Sequence, residues 1–243
     1  MKFYATIALA LSLAACGGTD AGNSQAAPVA AVAAPAGTDW TQTVAKTDQG
    51  YVMGNPAAPI KLVEYGSRLC PTCGAFAREG YTPLTDTYVK SGKVSFEFRE
   101  FLVHGAMDMP PALLGNCVGA EPFFPLLEQM FANQEQFVDA MQKSSPAVQQ
   151  AINAATPAER FGLMADAMGV TDFVKQRGVP ADKAKACLAD TAQIDRLAKQ
   201  TQDNGTGAGG VVSGTPTFLI NGKTVDGAIT WPAVETALKR AGA

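Results

Sequence analysis

The feature that most constrains this chain is Cys70-Pro71-Thr72-Cys73, set between an apolar run and a helical pattern. The run Ile60-Lys-Leu-Val-Glu-Tyr65 reads as a strand. Beyond the cysteines, Phe76, Tyr81, Leu84, Tyr88 and Val89 recur at helical spacing toward Lys90, with Pro83 set to kink or divide the helix. The chain must therefore end a strand, turn through Gly66-Ser67-Arg68-Leu69, and begin a helix at or near Cys70. A thiol there meets free backbone N–H groups and the positive end of the helix dipole, both of which favour a thiolate. Such positions draw a cysteine pKa from about 8.5 into the range of roughly 3.5–7.5. Cys70 is thus expected to be the exposed nucleophile, and Cys73, one turn inside, the resolving thiol. Pro71 suits the first helical turn, where its missing N–H costs little.

The same spacing also serves as half of a zinc site. Zinc needs two further ligands, usually a second close pair. Cys117 and Cys187 are widely separated, and His104 is the single histidine. The pair is therefore read as a redox dithiol, with no metal and no cofactor. Thiol exchange needs no separate base, so His104 is read as a loop or surface residue.

Two further features bear on the pair. Glu64 interrupts an otherwise apolar strand six residues before Cys70, and a core strand rarely carries a bare carboxylate. Buried, it would have a raised pKa and could shuttle the proton of the inner cysteine; on an alternating strand it would instead face solvent. Thr215-Pro216 follows a Gly-rich loop and precedes a strand. A cis X-Pro bond there would leave the backbone of Thr215 free to pair with an extended peptide.

The remaining chain alternates between strand and helix signals. A short hairpin or edge strand is expected within 40–53, around Asp48-Gln49-Gly50, and a second strand over 93–101, where apolar residues alternate. Helical patterns follow at 112–118, 123–141, through 161–168, and over 182–200 as one helix, without a strand-like run. After the loop 204–213, Thr217-Phe-Leu-Ile220 and Lys223-Thr-Val225 flank Asn221-Gly222, the preferred type I′ hairpin turn. A last helix starts near Thr230, with Pro232 in its first turn. The predicted fold is α/β: a small mixed sheet over 39–103 and 206–243, interrupted by a helical insertion over 104–205.

The N-terminus resembles an export signal. Lys2 precedes an apolar stretch over 5–15, too short to span a bilayer, which ends Leu13-Ala14-Ala15-Cys16-Gly17. This resembles a bacterial lipobox, with residues 1–16 as signal and Cys16 as the lipidated mature N-terminus. An ordinary signal peptide cut nearby is the alternative. Residues 17–38, nearly all small or polar, read as a flexible tether reaching about 25 Å. Lipid on Cys16 would leave four of the five cysteines, an even number suited to an oxidising compartment. The formal charge of −3 offers no basic face for nucleic acid.

Taken together, the strand with Glu64, Cys70-Pro71-Thr72-Cys73, the helical block and Gly214-Thr215-Pro216-Thr217-Phe218 running into Asn221-Gly222 resemble the DsbA-like branch of the thioredoxin superfamily. Gly54-Asn55-Pro56-Ala57-Ala58-Pro59 resembles the lead-in of these proteins, and the likeness covers residues 50–243. It implies a thioredoxin fold with inserted helices, a cis Pro216 facing Cys70, and disulfide exchange with exported cysteine-containing proteins. It also implies a membrane redox partner that recycles the pair. Thr72 departs from the histidine of the best-known periplasmic oxidases, and that position tunes the thiolate. Cys117 and Cys187 sit among apolar neighbours and are read as a structural disulfide, two buried thiols being the alternative. A monomeric oxidase, anchored on the periplasmic side of the cell envelope, is the favoured reading. A reductase or isomerase on the same fold, or a binding lipoprotein with structural cysteines, are the others.

Overall fold

In a computed structural model of the chain, residues 26–243 are described. The signal over 1–16, Cys16 and the start of the tether lie outside them. Six strands form one mixed sheet in the order β1-β2-β4-β3-β5-β6. They are β1 (Val44–Lys46), β2 (Gly50–Met53), β3 (Ile60–Gly66), β4 (Val94–Glu100), β5 (Thr217–Ile220) and β6 (Lys223–Thr224). β3 runs parallel to β4 and antiparallel to β5, and all other neighbours are antiparallel. This central position explains the apolar content of β3, which is buried except at Lys61. Asn221 and Gly222 join β5 to β6 with φ of 50° and 79°, the left-handed pair that a type I′ turn requires. Asn221 also ties the turn to β3, its Oδ1 accepting from the Lys61 N–H at 2.8 Å.

Helix α1 (Pro71–Pro83) leads from the cysteine pair across one sheet face. Pro83 divides it as expected, and the chain continues as a wider π-type turn over Leu84–Val89. The helical block comprises α2 (Met109–Asn116), α3 (Phe123–Gln142), α4 (Pro146–Ala154), α5 (Pro157–Ala167), α6 (Val170–Lys175), α7 (Ala181–Leu188) and α8 (Thr191–Asn204). The single helix expected over 182–200 is two. Asp190 breaks it, because its side chain caps a new helix by accepting from the Gln193 N–H. Helix α9 (Trp231–Arg240) closes the chain; Thr230 is its N-cap, though its side chain makes no capping bond.

Two large apolar cores result, beside a smaller cluster of Val63, Tyr65, Phe101, Val212 and Leu219. One lies between the sheet and α1, α3 and α9, centred on Leu62, Phe76, Phe96, Phe98 and Phe218. The other fills the helical block, around Leu114, Met130, Val170, Val174 and Leu197. Helix α3 serves both: Phe123, Phe124, Leu127 and Phe131 face the sheet, while Leu126, Met130 and Phe137 face the other helices. Cys117 and Cys187 are joined by a disulfide, with Cα atoms 6.0 Å apart, tying the end of α2 to α7.

The tether reading needs correction from residue 26 onward. The N–H groups of Ala26, Val29 and Val32 donate to the carbonyls of Arg240, Gly242 and Ser91 at 2.8, 2.8 and 2.9 Å. Trp40 Nε1 donates to the Val32 carbonyl at 2.7 Å. Val29 packs against the sheet core, so this stretch does hold something to bury. Among the described residues, no helix is long and apolar enough to cross a membrane.

Candidate active site

The site forms where β3 ends and α1 begins. Cys70 is the N-cap of α1, with Pro71 behind it in the first turn, and its carbonyl accepts the Gly74 N–H at 3.0 Å. Both thiols are free. Cys70 is not exposed as expected: it is 6% exposed, against 0% for Cys73. The loop before β5 covers it, and the Cys70 Sγ–H donates to the Thr215 carbonyl at 3.3 Å. The Thr215-Pro216 bond is cis. The geometry therefore brings together Cys70, Cys73, Thr215 and Pro216 from opposite ends of the chain.

The two thiols are electrostatically unlike. The pKa of Cys70 is lowered from 9.0 to about 5. The Cys73 thiol donates to its sulfur, and the backbone N–H groups of Cys73 and Thr72 hold the charge. The Thr215 hydroxyl is buried and has no hydrogen-bond partner among the described residues. Burial pushes the Cys73 thiol well above 9.0, and its bond to Cys70 and the nearby Glu64 charge push it further. One sulfur is thus charged at neutral pH and the other is not.

Glu64 is fully buried, which removes the solvent-facing alternative. It stands on β3 opposite Phe98 of β4 and Phe218 of β5, within an aromatic wall. This desolvation raises its pKa from 4.5 to about 8, against the lowering effect of the Tyr81 hydroxyl, which donates to Glu64 Oε2 at 3.0 Å. Glu64 Oε1 has no partner among the described residues. Tyr81 was visible in the sequence only as an apolar helix position; its role depends on helix–sheet packing.

The loop leading to Cys70 is held by polar groups that the sequence did not single out. Arg68 is buried and pairs with Glu100 at 2.8 Å. Its guanidinium also lies 5.1 Å from the Phe123 ring and donates to Met130 Sδ at 3.1 Å. A Cβ on Gly115 would stand 2.2 Å from Arg68 Cζ, so α2 can pass only with glycine there. Ser67 Oγ donates to Asp108 Oδ1 at 2.7 Å. His104 bonds the same Asp108 at 3.0 Å and is 43% exposed. Among the described residues, no group of three or more His, Cys, Asp or Glu side chains could hold a metal.

Comparison with known proteins agrees with this geometry. The family model described as thioredoxin matches residues 46–240. A solved protein-disulfide isomerase from Novosphingobium aromaticivorans is 33% identical, with a TM-score of 0.70, over 77% of this chain and 94% of that one. The alpha-DsbA1 structure of Wolbachia pipientis shares the fold at 18% identity, with a TM-score of 0.58, over 79% and 89% of the two chains. Among curated relatives, a Rickettsia bellii protein assigned to the protein-disulfide oxidoreductases is 25% identical over 171 residues, 70% of this chain. The chain spans 56% of that relative's length. The chain belongs to the thioredoxin family, with helices inserted within the fold.

Proposed function

We propose that this protein is a thiol–disulfide oxidoreductase that oxidises exported cysteine-containing proteins. The observation that carries this reading is the unequal pair at the start of α1: a Cys70 of pKa about 5 beside a Cys73 held neutral. In the oxidised state, a substrate thiolate attacks Cys70 Sγ of the Cys70–Cys73 bond. A mixed disulfide forms on Cys70, and Cys73 leaves as a thiolate that takes up a proton. A second substrate thiolate then attacks the substrate sulfur of the mixed disulfide. This frees Cys70 as a stable thiolate and closes the substrate disulfide, and two electrons pass from substrate to pair. A low pKa makes Cys70 a good leaving group and stabilises the reduced form, which favours the oxidising direction. Glu64, titrating near 8, can supply and receive the proton of Cys73. The Thr215-Pro216 loop against Cys70 supports docking of an extended substrate segment there.

The lipobox-like end at Cys16 supports an anchor on the periplasmic side of the envelope, where a membrane redox partner reoxidises the pair. A second reading, isomerase, is favoured by the isomerase description of the 33%-identical Novosphingobium structure.

The reduction potential of the Cys70–Cys73 couple tests the proposal. A value at or above about −180 mV supports oxidation or isomerisation, and one near about −270 mV indicates a reductase. A value below about −300 mV with an inert Cys70 would leave only a structural disulfide. Cys70→Ser should abolish dithiol exchange with insulin; retained exchange would overturn the site. Cys16→Ser should release the protein from membranes, and persistent association would count against the anchor.

A further inference from the structure

Gln134 lies on α3, among the inserted helices, yet its carboxamide reaches the start of α1. Its Nε2 donates to the Cys70 carbonyl at 3.0 Å and to the Arg68 carbonyl at 3.3 Å. The residue is 4% exposed. These two carbonyls belong to the peptide planes on either side of the Leu69-Cys70 segment. Held together, they keep the Cys70 backbone from swinging away from the helix end.

The other edge of the carboxamide is equally confined. A Cβ built on Gly74 would stand 1.8 Å from Gln134 Oε1 and 2.7 Å from its Cδ. Gly74 is buried in the first turns of α1, and its φ is not among the positive ones. Backbone geometry therefore gives no reason for glycine, and a glycine inside a helix is unfavourable relative to alanine. The space is explained by what fills it.

We propose that Gln134 is a positioning residue for the redox pair, holding the Cys70 backbone so that its sulfur stays over the N–H groups of Thr72 and Cys73, and that Gly74 is glycine to admit it. The inserted helices thereby act on the chemistry through one carboxamide. This rests on the reading of Cys70 and Cys73 as an exchanging pair.

The test compares wild type, Gln134→Ala, Gly74→Ala and the double variant. The measurements are thiolate absorbance of Cys70 against pH, alkylation rate, insulin exchange and melting temperature. In Gln134→Ala the titration midpoint should rise from about 5 by roughly half a pH unit, the worth of one modest hydrogen bond. Alkylation below the midpoint should fall about threefold. Gly74→Ala should give the same displacement with Gln134 still present, because the new methyl evicts the carboxamide. The double variant should be no worse than Gln134→Ala. A lower melting temperature with an unmoved titration would reduce Gln134 to packing and overturn the proposal, as would simply additive effects in the double variant. Should Gln134→Ala not fold, the titration of Gly74→Ala decides alone. If wild type exchanges no disulfides, the functional reading falls, while the titrations still decide the role of Gln134.

Discussion

Replacing Glu64 by glutamine should stabilise the reduced protein, and increasingly so as the pH rises. The folded-state pKa of Glu64, about 8, lies above the ordinary 4.5, so the neutral carboxyl is the form the fold accommodates. Its contribution is fully present below 4.5 and is lost as the pH rises through 8, because the unfolded chain ionises freely and the folded one does not. At pH 7 the protein stands about two and a half pH units above 4.5; at about 1.4 kcal/mol per unit, this costs about 3 kcal/mol. Above pH 8 the cost levels off near about 5 kcal/mol. Glu64 is 0% exposed, so solvent screening takes little from this figure. Glutamine removes the cost and keeps an oxygen to accept the Tyr81 hydroxyl. Urea unfolding of freshly reduced wild type and Glu64→Gln between pH 5 and 9 measures it. Their difference should grow by about 1.4 kcal/mol per pH unit up to pH 8 and then stay constant. The Cys70 thiolate also pushes Glu64 up, so in the oxidised protein the window should move to lower pH. A difference that does not vary with pH would refute the burial argument. The same variant should turn over more slowly at the step in which Cys73 loses its proton; unchanged turnover would remove Glu64 from the mechanism.

Two further outcomes follow from the packing. Replacing Cys117 and Cys187 together by alanine opens a cross-link spanning 70 residues and should cost about 4 kcal/mol of stability by the loop-entropy estimate. The Cys70 titration should not move, and a shifted thiolate would mean that the bridge acts on the site. Glu100→Gln should cost about 3–5 kcal/mol in urea unfolding, since it leaves the Arg68 guanidinium buried and unpaired. A loss below about 1 kcal/mol would mean that Arg68 finds another partner.

Features written in adjacent residues were legible in the sequence. The period-two runs of β3 and β4, the Asn-Gly hairpin and the strand-to-helix turn at Cys70 each depend on neighbours within a few positions. Glu64 was noticeable because it broke a local pattern, though the sequence left its direction open. What failed was also local in cause: a single helix over 182–200 ignored the ability of Asp190 to cap a second one. The composition of the tract from residue 26 carries no sign of the anchoring contacts of Val29 and Val32. Gln134, Arg68 with Glu100, and the bond from Tyr81 to Glu64 left no such trace. Each joins residues far apart in the chain, and within its own segment each looks like an ordinary polar or apolar position.

The sequence by itself determined that Cys70 and Cys73 sit at a helix start, since no distant contact is needed to end a strand and open a helix there. Tertiary structure decided how different the two sulfurs become. Cys70 owes its low pKa first to the thiol of Cys73 and to N–H groups of its own helix, at a position closed over by the Thr215 loop from 145 residues away. Cys73 owes its high one first to burial, and then to its bond to Cys70 and the carboxyl of Glu64 on β3. Hydrogen bonding and desolvation act through space, so a pair that reads as symmetric in the sequence becomes one charged and one neutral sulfur only when the fold closes around it.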